Sequence, residues 1–189
     1  MGLGDSLRPL EERRFRLLWL GRVSSGVGDA IVPIAYAFAV ISINHSATAL
    51  GGVLAALTIA RVSFTLFGGV VADRLPRRAV MLATDLIRAA VQAFTAVMLI
   101  THNMTLPLFF VTAAIFGAAS AFFAPASDGL VPQTIGAQNL QAANALIGMS
   151  RNTLNVFGPA VSGGLIALAG TGWVFAIDAV SFVVSALFL

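Results

Sequence analysis

Long apolar runs separated by short polar breaks set the pattern of the chain. Such runs, at roughly 20 residues per span, read as membrane helices. The first helix is expected from about Leu17 to Ile43, with Arg22 near one end and Asp29 near the middle. Asn44-His45-Ser46 reads as a turn, and a second helix extends to Ala72. A charged loop, Asp73-Arg74-Leu75-Pro76-Arg77-Arg78, precedes a third helix over Ala79–Ile100. Thr101-His102-Asn103 breaks that run, and Pro107 suits the first turn of a fourth helix. Residues 125–139 read as a loop or surface segment. A fifth helix is expected over Leu140–Ala169, a turn at Gly170-Thr171-Gly172, and a sixth helix from Trp173, still apolar at Leu189. The expected fold class is an all-α membrane protein of six transmembrane helices.

Composition sharpens this picture by exclusion. Of 189 residues, 58% are hydrophobic and only 10% charged, against about 25% charged in soluble domains; mean hydropathy is +0.93. Neither a soluble globule nor a disordered chain fits, and six spans leave no room for a soluble catalytic domain. Cysteine is absent, and His45 and His102 stand apart from other ligand-type residues, so no metal site or cofactor is expected. All eleven basic residues are arginine. They flank apolar runs, which points to membrane orientation rather than nucleic acid binding. Residues 1–16 form a polar lead-in, with Pro9 opening a short helix and Glu12 placed to pair with Arg16. The run after it is too long for a cleaved signal. Arg8, Arg13, Arg14, Arg16, Arg74, Arg77 and Arg78 lie on one side, whereas the turns near His45, His102 and Thr171 hold no basic residue. That asymmetry places the N-terminus and the 73–78 loop in the cytoplasm.

An internal match at an offset of 90 residues aligns Arg61, Phe67, Gly68 and Val71 with Arg151, Phe157, Gly158 and Val161. It pairs helix two, running inward, with helix five, running outward. Two inverted three-helix repeats follow, a pattern of transporters. Ala113-x-x-x-Gly117-x-x-x-Ala121 and Gly158-x-x-x-Ser162 are small-residue stripes that favour close helix crossing. Six ionisable residues fall inside the spans: Asp29, Arg61, Asp85, Arg88, Arg151 and Asp178. Charges at that depth pair or face water. Asp29 is expected to meet Arg61 across the bundle, Asp85 shares a helix face with Arg88, and Arg151 has no evident partner. Pro33 cannot donate to the Asp29 carbonyl, so the first helix should bend there. Asp29 is therefore a candidate proton-coupling residue, and Asp29, Arg61, Asp85, Arg88 and Arg151 are the cavity candidates; Arg61 and Arg151 are expected to neutralise Asp29 or Asp85, the alternative being that they bind an anionic substrate.

The most specific motif is Gly69-x-x-x-Asp73-Arg74-x-Pro76-Arg77-Arg78. Gly68 and Gly69 would let helix two approach a neighbour, and the arginines would seek Asp128 near the next loop on that side. At these residues the chain resembles the major facilitator superfamily, whose loop between helices two and three has this form. Pro76 stands where that family has a loop glycine, so the turn must differ, since proline cannot adopt positive φ. Phe15-Arg16-Leu17-Leu18-Trp19 through Gly28-Asp29-Ala30 resembles the first helix of bacterial exporters in the superfamily, and Asp85-Leu86-Ile87-Arg88-Ala89 their third. Asn144-Ala145-Leu146, Gly158-Pro159 and Gly163-Gly164 resemble their fifth, with its antiporter Gly-Pro motif. The similarity is greatest to the branch containing siderophore and macrolide exporters.

The resemblance implies half of a twelve-helix fold: residues 1–16 as a cytoplasmic segment and 17–189 as the N-terminal six-helix half-domain, with the C-terminal half absent. It further implies a truncated product, an excised half or a misassigned reading frame. The implied function is proton-coupled efflux of a small amphipathic compound by the complete protein in the bacterial inner membrane, the chain being inactive alone. The implied partners are the bilayer, the substrate and the missing half. The alternative is an assembly module that pairs with a separate C-terminal half or with itself. An intramembrane aspartyl protease is suggested only by Gly26-Val27-Gly28-Asp29; its Tyr-Asp and Pro-Ala-Leu motifs are absent. No catalytic residue is expected.

Overall fold

The computed structural model describes residues 8–189; residues 1–7 of the expected N-terminal segment lie outside the described residues. After a single 3-10 turn at Arg8–Glu11, six helices follow: α1 (Arg13–Asn44), α2 (Ala47–Arg74), α3 (Arg77–Ile100), α4 (Leu106–Thr134), α5 (Leu140–Ala169) and α6 (Thr171–Phe188). No strand occurs among the described residues. All but α5 are long and apolar enough to cross a membrane. The 30-residue α5 falls short because Asn144, Ser150, Arg151, Asn152 and Asn155 crowd its first half.

The connections are short and chemically specified. His45 closes α1 at φ 50°, and His102 sits at φ 56° in the turn after α3. Histidine is among the few residues that enter the left-handed region readily, which accounts for both histidines as turn formers. Ser46 caps α2 by accepting from the Ala49 N–H at 3.3 Å. Pro76, at φ −56°, starts α3 after an extended Leu75. The loop therefore turns without a positive-φ residue, which is the difference that proline at that position requires.

The expected loop over 125–139 is corrected: α4 continues through Pro125 and Pro132 to Thr134, and only a 3-10 turn, Ala137–Asn139, separates it from α5. Two features keep this segment helical. Ala126, Ser127 and Val131 are fully or nearly buried. The carbonyl that Pro125 leaves without a helical donor is that of Ala121, and there Gly68 of α2 packs: a Cβ on Gly68 would lie 2.7 Å from it. At the N-terminus, the Glu12–Arg16 side-chain pair is replaced. Arg16 donates to the Leu10 carbonyl at 3.4 Å, and Glu12 accepts from the Gly136 N–H at 3.5 Å. α1 runs through Pro33 as one helix of 32 residues.

Packing obeys an internal exchange. α2 lies along α4 as α5 lies along α1; α3 lies along α4 as α6 lies along α1; α3 and α6 lie on each other. Swapping the first three helices with the last three leaves these neighbours unchanged, as two inverted repeats require. Individual contacts repeat as well. Gly68 meets Ala121 and Gly158 meets Ala30, each glycine at a position where a Cβ would collide. Ser185 donates to Asp85 Oδ2 at 2.6 Å, and Gln92 donates to Asp178 Oδ2 at 2.5 Å. Asp85 and Asp178 are 93 residues apart in the numbering, as are Gln92 and Ser185. The two bonds are thus one contact used twice across the antiparallel α3–α6 pair.

Two apolar clusters fill the ends of the bundle. Phe15, Leu18, Ala72, Met81 and Val131 pack at the arginine-bearing end, and Ile31, Tyr36, Val53, Phe109 and Phe175 toward the other. The outward faces are also apolar: Leu66 of α2 is 82% exposed and Leu168 of α5 is 88% exposed. Such faces are costly in water and ordinary in hydrocarbon. The fold is that of a multi-pass helical membrane protein.

Candidate functional site

Between α1, α2, α4 and α5, with α3 and α6 behind, lies an open cavity of about 510 Å³. Apolar walls come from Leu54, Leu57, Phe116, Phe123, Ile147 and Leu154. Its charged lining is Arg22, Asp29, Arg61, Arg88 and Arg151. The polar stretch that lowers the hydropathy of α5 therefore has a use, since Ser150, Arg151 and Asn155 all face this space. Trp19 closes one corner by donating from Nε1 to Ser150 Oγ at 3.1 Å, and Ser162 ties α5 to α1 through the Ile31 carbonyl at 2.7 Å.

Arg88 organises the floor. Its side chain is 1% exposed, and it enters between the rings of Phe123 and Phe182, 4.4 and 4.2 Å from their centroids. One arm of the guanidinium donates to Asp85 on its own helix, as the three-residue spacing requires. The other arm reaches Asp29 Oδ2 at 3.4 Å. Asp85 is fully buried, while the Asp29 side chain is 44% exposed to the cavity. A buried guanidinium thus bridges one carboxylate that never meets solvent and one that does. Glycine makes this assembly possible: a side chain on Gly28 would overlap the Asp178 carboxylate behind Asp29. The Gly26-x-Gly28-Asp29 sequence is accordingly a packing device, and the partner of Asp29 is a guanidinium rather than a second carboxyl.

Two expected pairings are corrected. Asp29 pairs with Arg88, not Arg61, because the α3 side chain reaches it through the aromatic gap. Asp128 pairs with Arg22 at 2.9 Å, not with the loop arginines. The helical continuation of α4 carries Asp128 onto the α1 side of the bundle. Arg77 instead pairs with Asp73 one turn back at 3.4 Å and lies over Gly129 of α4, where a Cβ would overlap its guanidinium. Arg74 and Arg78 remain exposed at the same end. Of the motif glycines, Gly68 makes the close approach and Gly69 has open space; in α5, Gly158 is packed while Gly163 and Gly164 face outward with Pro159 exposed. The loop motif, the α5 motif and the cavity residues therefore meet through α1, where Arg22 holds Asp128 and Ala30 packs on Gly158.

Asp178 and Gln92 were underweighted by sequence reasoning. Asp178 counted as one more ionisable group, yet it is fully buried and bound by Gln92 and Ser181. The available signal was the repeat itself, extended into helices three and six at an offset of 93 rather than 90, where Asp85 and Asp178 align. No group of three or more metal-ligating side chains occurs among the described residues.

Comparison with known proteins fits this architecture. The family model described as transmembrane secretion effector matches residues 4–189. The uncharacterized MFS-type transporter YkuC of Bacillus subtilis is 30% identical over 182 residues, covering 95% of this chain and 41% of that protein. Macrolide efflux protein A of Streptococcus pyogenes is 26% identical, covering 92% of this chain and 43% of its own length. The multidrug efflux pump Tap of Mycolicibacterium fortuitum is 29% identical, covering 85% and 41%. The chain spans about two-fifths of the length of these relatives. Its helical architecture, its repeated contacts and this match over nearly every residue agree, and the chain belongs to the transmembrane secretion effector family of the major facilitator superfamily.

Proposed function

We propose that the chain forms one half of a proton-coupled exporter of small amphipathic compounds in a bacterial cytoplasmic membrane. Residues 1–16 and the 73–78 loop face the cytosol, as the arginine asymmetry favours. Residues 17–189 are the N-terminal transmembrane half, and a C-terminal six-helix half closes the open side of the cavity. The observation that carries this reading is the Asp29–Arg88–Asp85 group. A carboxylate exposed to a cavity at membrane depth shares its guanidinium with a buried carboxylate. Protonating Asp29 releases one arm of Arg88, so substrate and proton can compete for the same cavity wall. The similarity to a macrolide efflux protein and to a multidrug efflux pump supports export.

The test is co-expression of the chain with the C-terminal half of a relative, followed by efflux of amphipathic dyes of either charge under an imposed pH gradient. Efflux is expected from the pair, and Asp29→Asn is expected to abolish its dependence on the gradient. Unchanged proton-driven transport in Asp29→Asn removes that residue from coupling. The alternative, self-assembly through the exposed faces of α2 and α5, predicts efflux from the chain alone.

A further inference from the structure

The cavity holds two cations that its own acids leave unused. Arg22 is engaged by Asp128, and Asp29 and Asp85 share Arg88. Arg61 and Arg151 remain. Both line the cavity and both are exposed within it. Among the described residues neither guanidinium has a hydrogen bond or an ion pair. They come from α2 and α5, helices that do not pack on each other but flank the cavity from its two sides. They are also equivalent positions of the two repeats, 90 residues apart, so the internal exchange that relates the helices relates these two charges.

Arginines at membrane depth pair with acids or face a water-filled cavity. Two of them, at equivalent positions of the repeat and with no acid of the described residues paired to either, suit an anionic ligand. Guanidinium groups present paired N–H donors in the geometry of an oxyanion, and the match strengthens where water is scarce. The surroundings define the rest of the ligand: Leu54, Leu57, Phe116 and Leu154 offer an apolar bed beside the charges.

We propose that Arg61 and Arg151 form a two-sided anion clamp, so that the cavity selects amphipathic compounds carrying a carboxylate. This names the substrate class of the transport cavity and rests on the exporter reading above.

The cavity carries its own reporter. Trp19 lines it, and the chain's other tryptophan, Trp173, lies at the start of α6. In the full 189-residue chain with Trp173→Phe, reconstituted in lipid nanodiscs, energy transfer from Trp19 reads binding of dansylglycine, a carboxylate, and of dansylamide, its neutral counterpart. The carboxylate is expected to bind at least about tenfold more tightly, consistent with a charge-assisted pair. Arg61→Gln or Arg151→Gln is expected to remove most of that preference while leaving dansylamide affinity unchanged, and Arg61→Lys or Arg151→Lys to retain part of it. Equal affinity for the two probes in the parent chain overturns the proposal without any variant having to fold. A preference that survives both glutamine variants overturns it as well. Because binding is read without transport, a failed clamp leaves the efflux experiment able to succeed, and failed efflux leaves the clamp able to bind.

Discussion

Replacing Arg88 with methionine keeps an unbranched apolar stem while deleting the guanidinium, with its charge and its stacking on Phe123 and Phe182. Arg88 is 1% exposed and Asp85 is fully buried. The change therefore leaves Asp85 with Ser185 as its remaining partner and no cation. Removing one member of a buried pair costs about 3–5 kcal/mol, because the other charge stays desolvated and unpaired. Asp29 adds less, since its half-exposed side chain can be solvated by the cavity. A loss of about 3–5 kcal/mol is a large share of the roughly 5–15 kcal/mol that holds a typical fold together. The assay is reversible unfolding of the chain in detergent, followed by tryptophan emission, for Arg88→Met, Asp85→Asn and the double variant. The double variant should recover most of the loss of Arg88→Met, giving a coupling of at least about 2 kcal/mol between the two sites. If Arg88→Met unfolds within about 1 kcal/mol of the parent, or if Asp85→Asn deepens its loss, the buried pair is not what holds α3 in place.

Two further outcomes follow from the packing. Gly68→Val and Gly158→Val each drive a side chain into the backbone of the neighbouring helix and should destabilise by about 1–3 kcal/mol, whereas Gly69→Ala and Gly164→Ala, with open space around them, should be neutral or slightly stabilising by melting temperature. Gln92→Leu strips Asp178 of its α3 donor and should cost about 1–3 kcal/mol in the same unfolding assay, while Gln92→Leu combined with Asp178→Leu should fall closer to the parent; a double variant worse than the single one would contradict the contact.

The helices and their order were legible because apolar run length is a strong signal in hydrocarbon. The fourth helix was misjudged at its end because Pro125 and Pro132 argue locally for a break, and the force that overrides them is tertiary. Gly68 of another helix sits on the carbonyl that Pro125 frees, and nothing in the local sequence of α4 reports that. The same limit explains the ion pairs. Asp85–Arg88 lies within one turn of one helix and could be read from spacing. Asp29–Arg88 and Arg22–Asp128 join residues 59 and 106 positions apart, and charge inventory alone left several pairings of equal merit. The glycines divide likewise: sequence shows that Gly68 and Gly69 are both small, and only the neighbouring helix decides which of them is needed.

The repeat explains why chemistry gathers on one side of a symmetric scaffold. The contact of Gly158 with Ala30 corresponds to that of Gly68 with Ala121, so Ser120 occupies in α4 the place that Asp29 occupies in α1. On the α3–α6 pair, Ser181 stands where Arg88 does, each three residues after a buried aspartate that it contacts. The scaffold bonds Asp85–Ser185 and Asp178–Gln92 are kept in both copies, whereas the long cation and the cavity-facing acid survive in one. Ser120 and Ser181 are short and neutral, and among the described residues Ser181 bonds only to Asp178 on its own helix. An arginine is long enough to span from the α3–α6 core to the cavity wall, which couples a buried carboxylate to an exposed one. Symmetry is retained where the contacts fasten helices and lost where a side chain must extend into the cavity, while Arg61 and Arg151 keep it within the cavity itself. The cavity built this way carries a repeated pair of arginines, Arg61 and Arg151, and a single acid, Asp29, that the repeat does not duplicate.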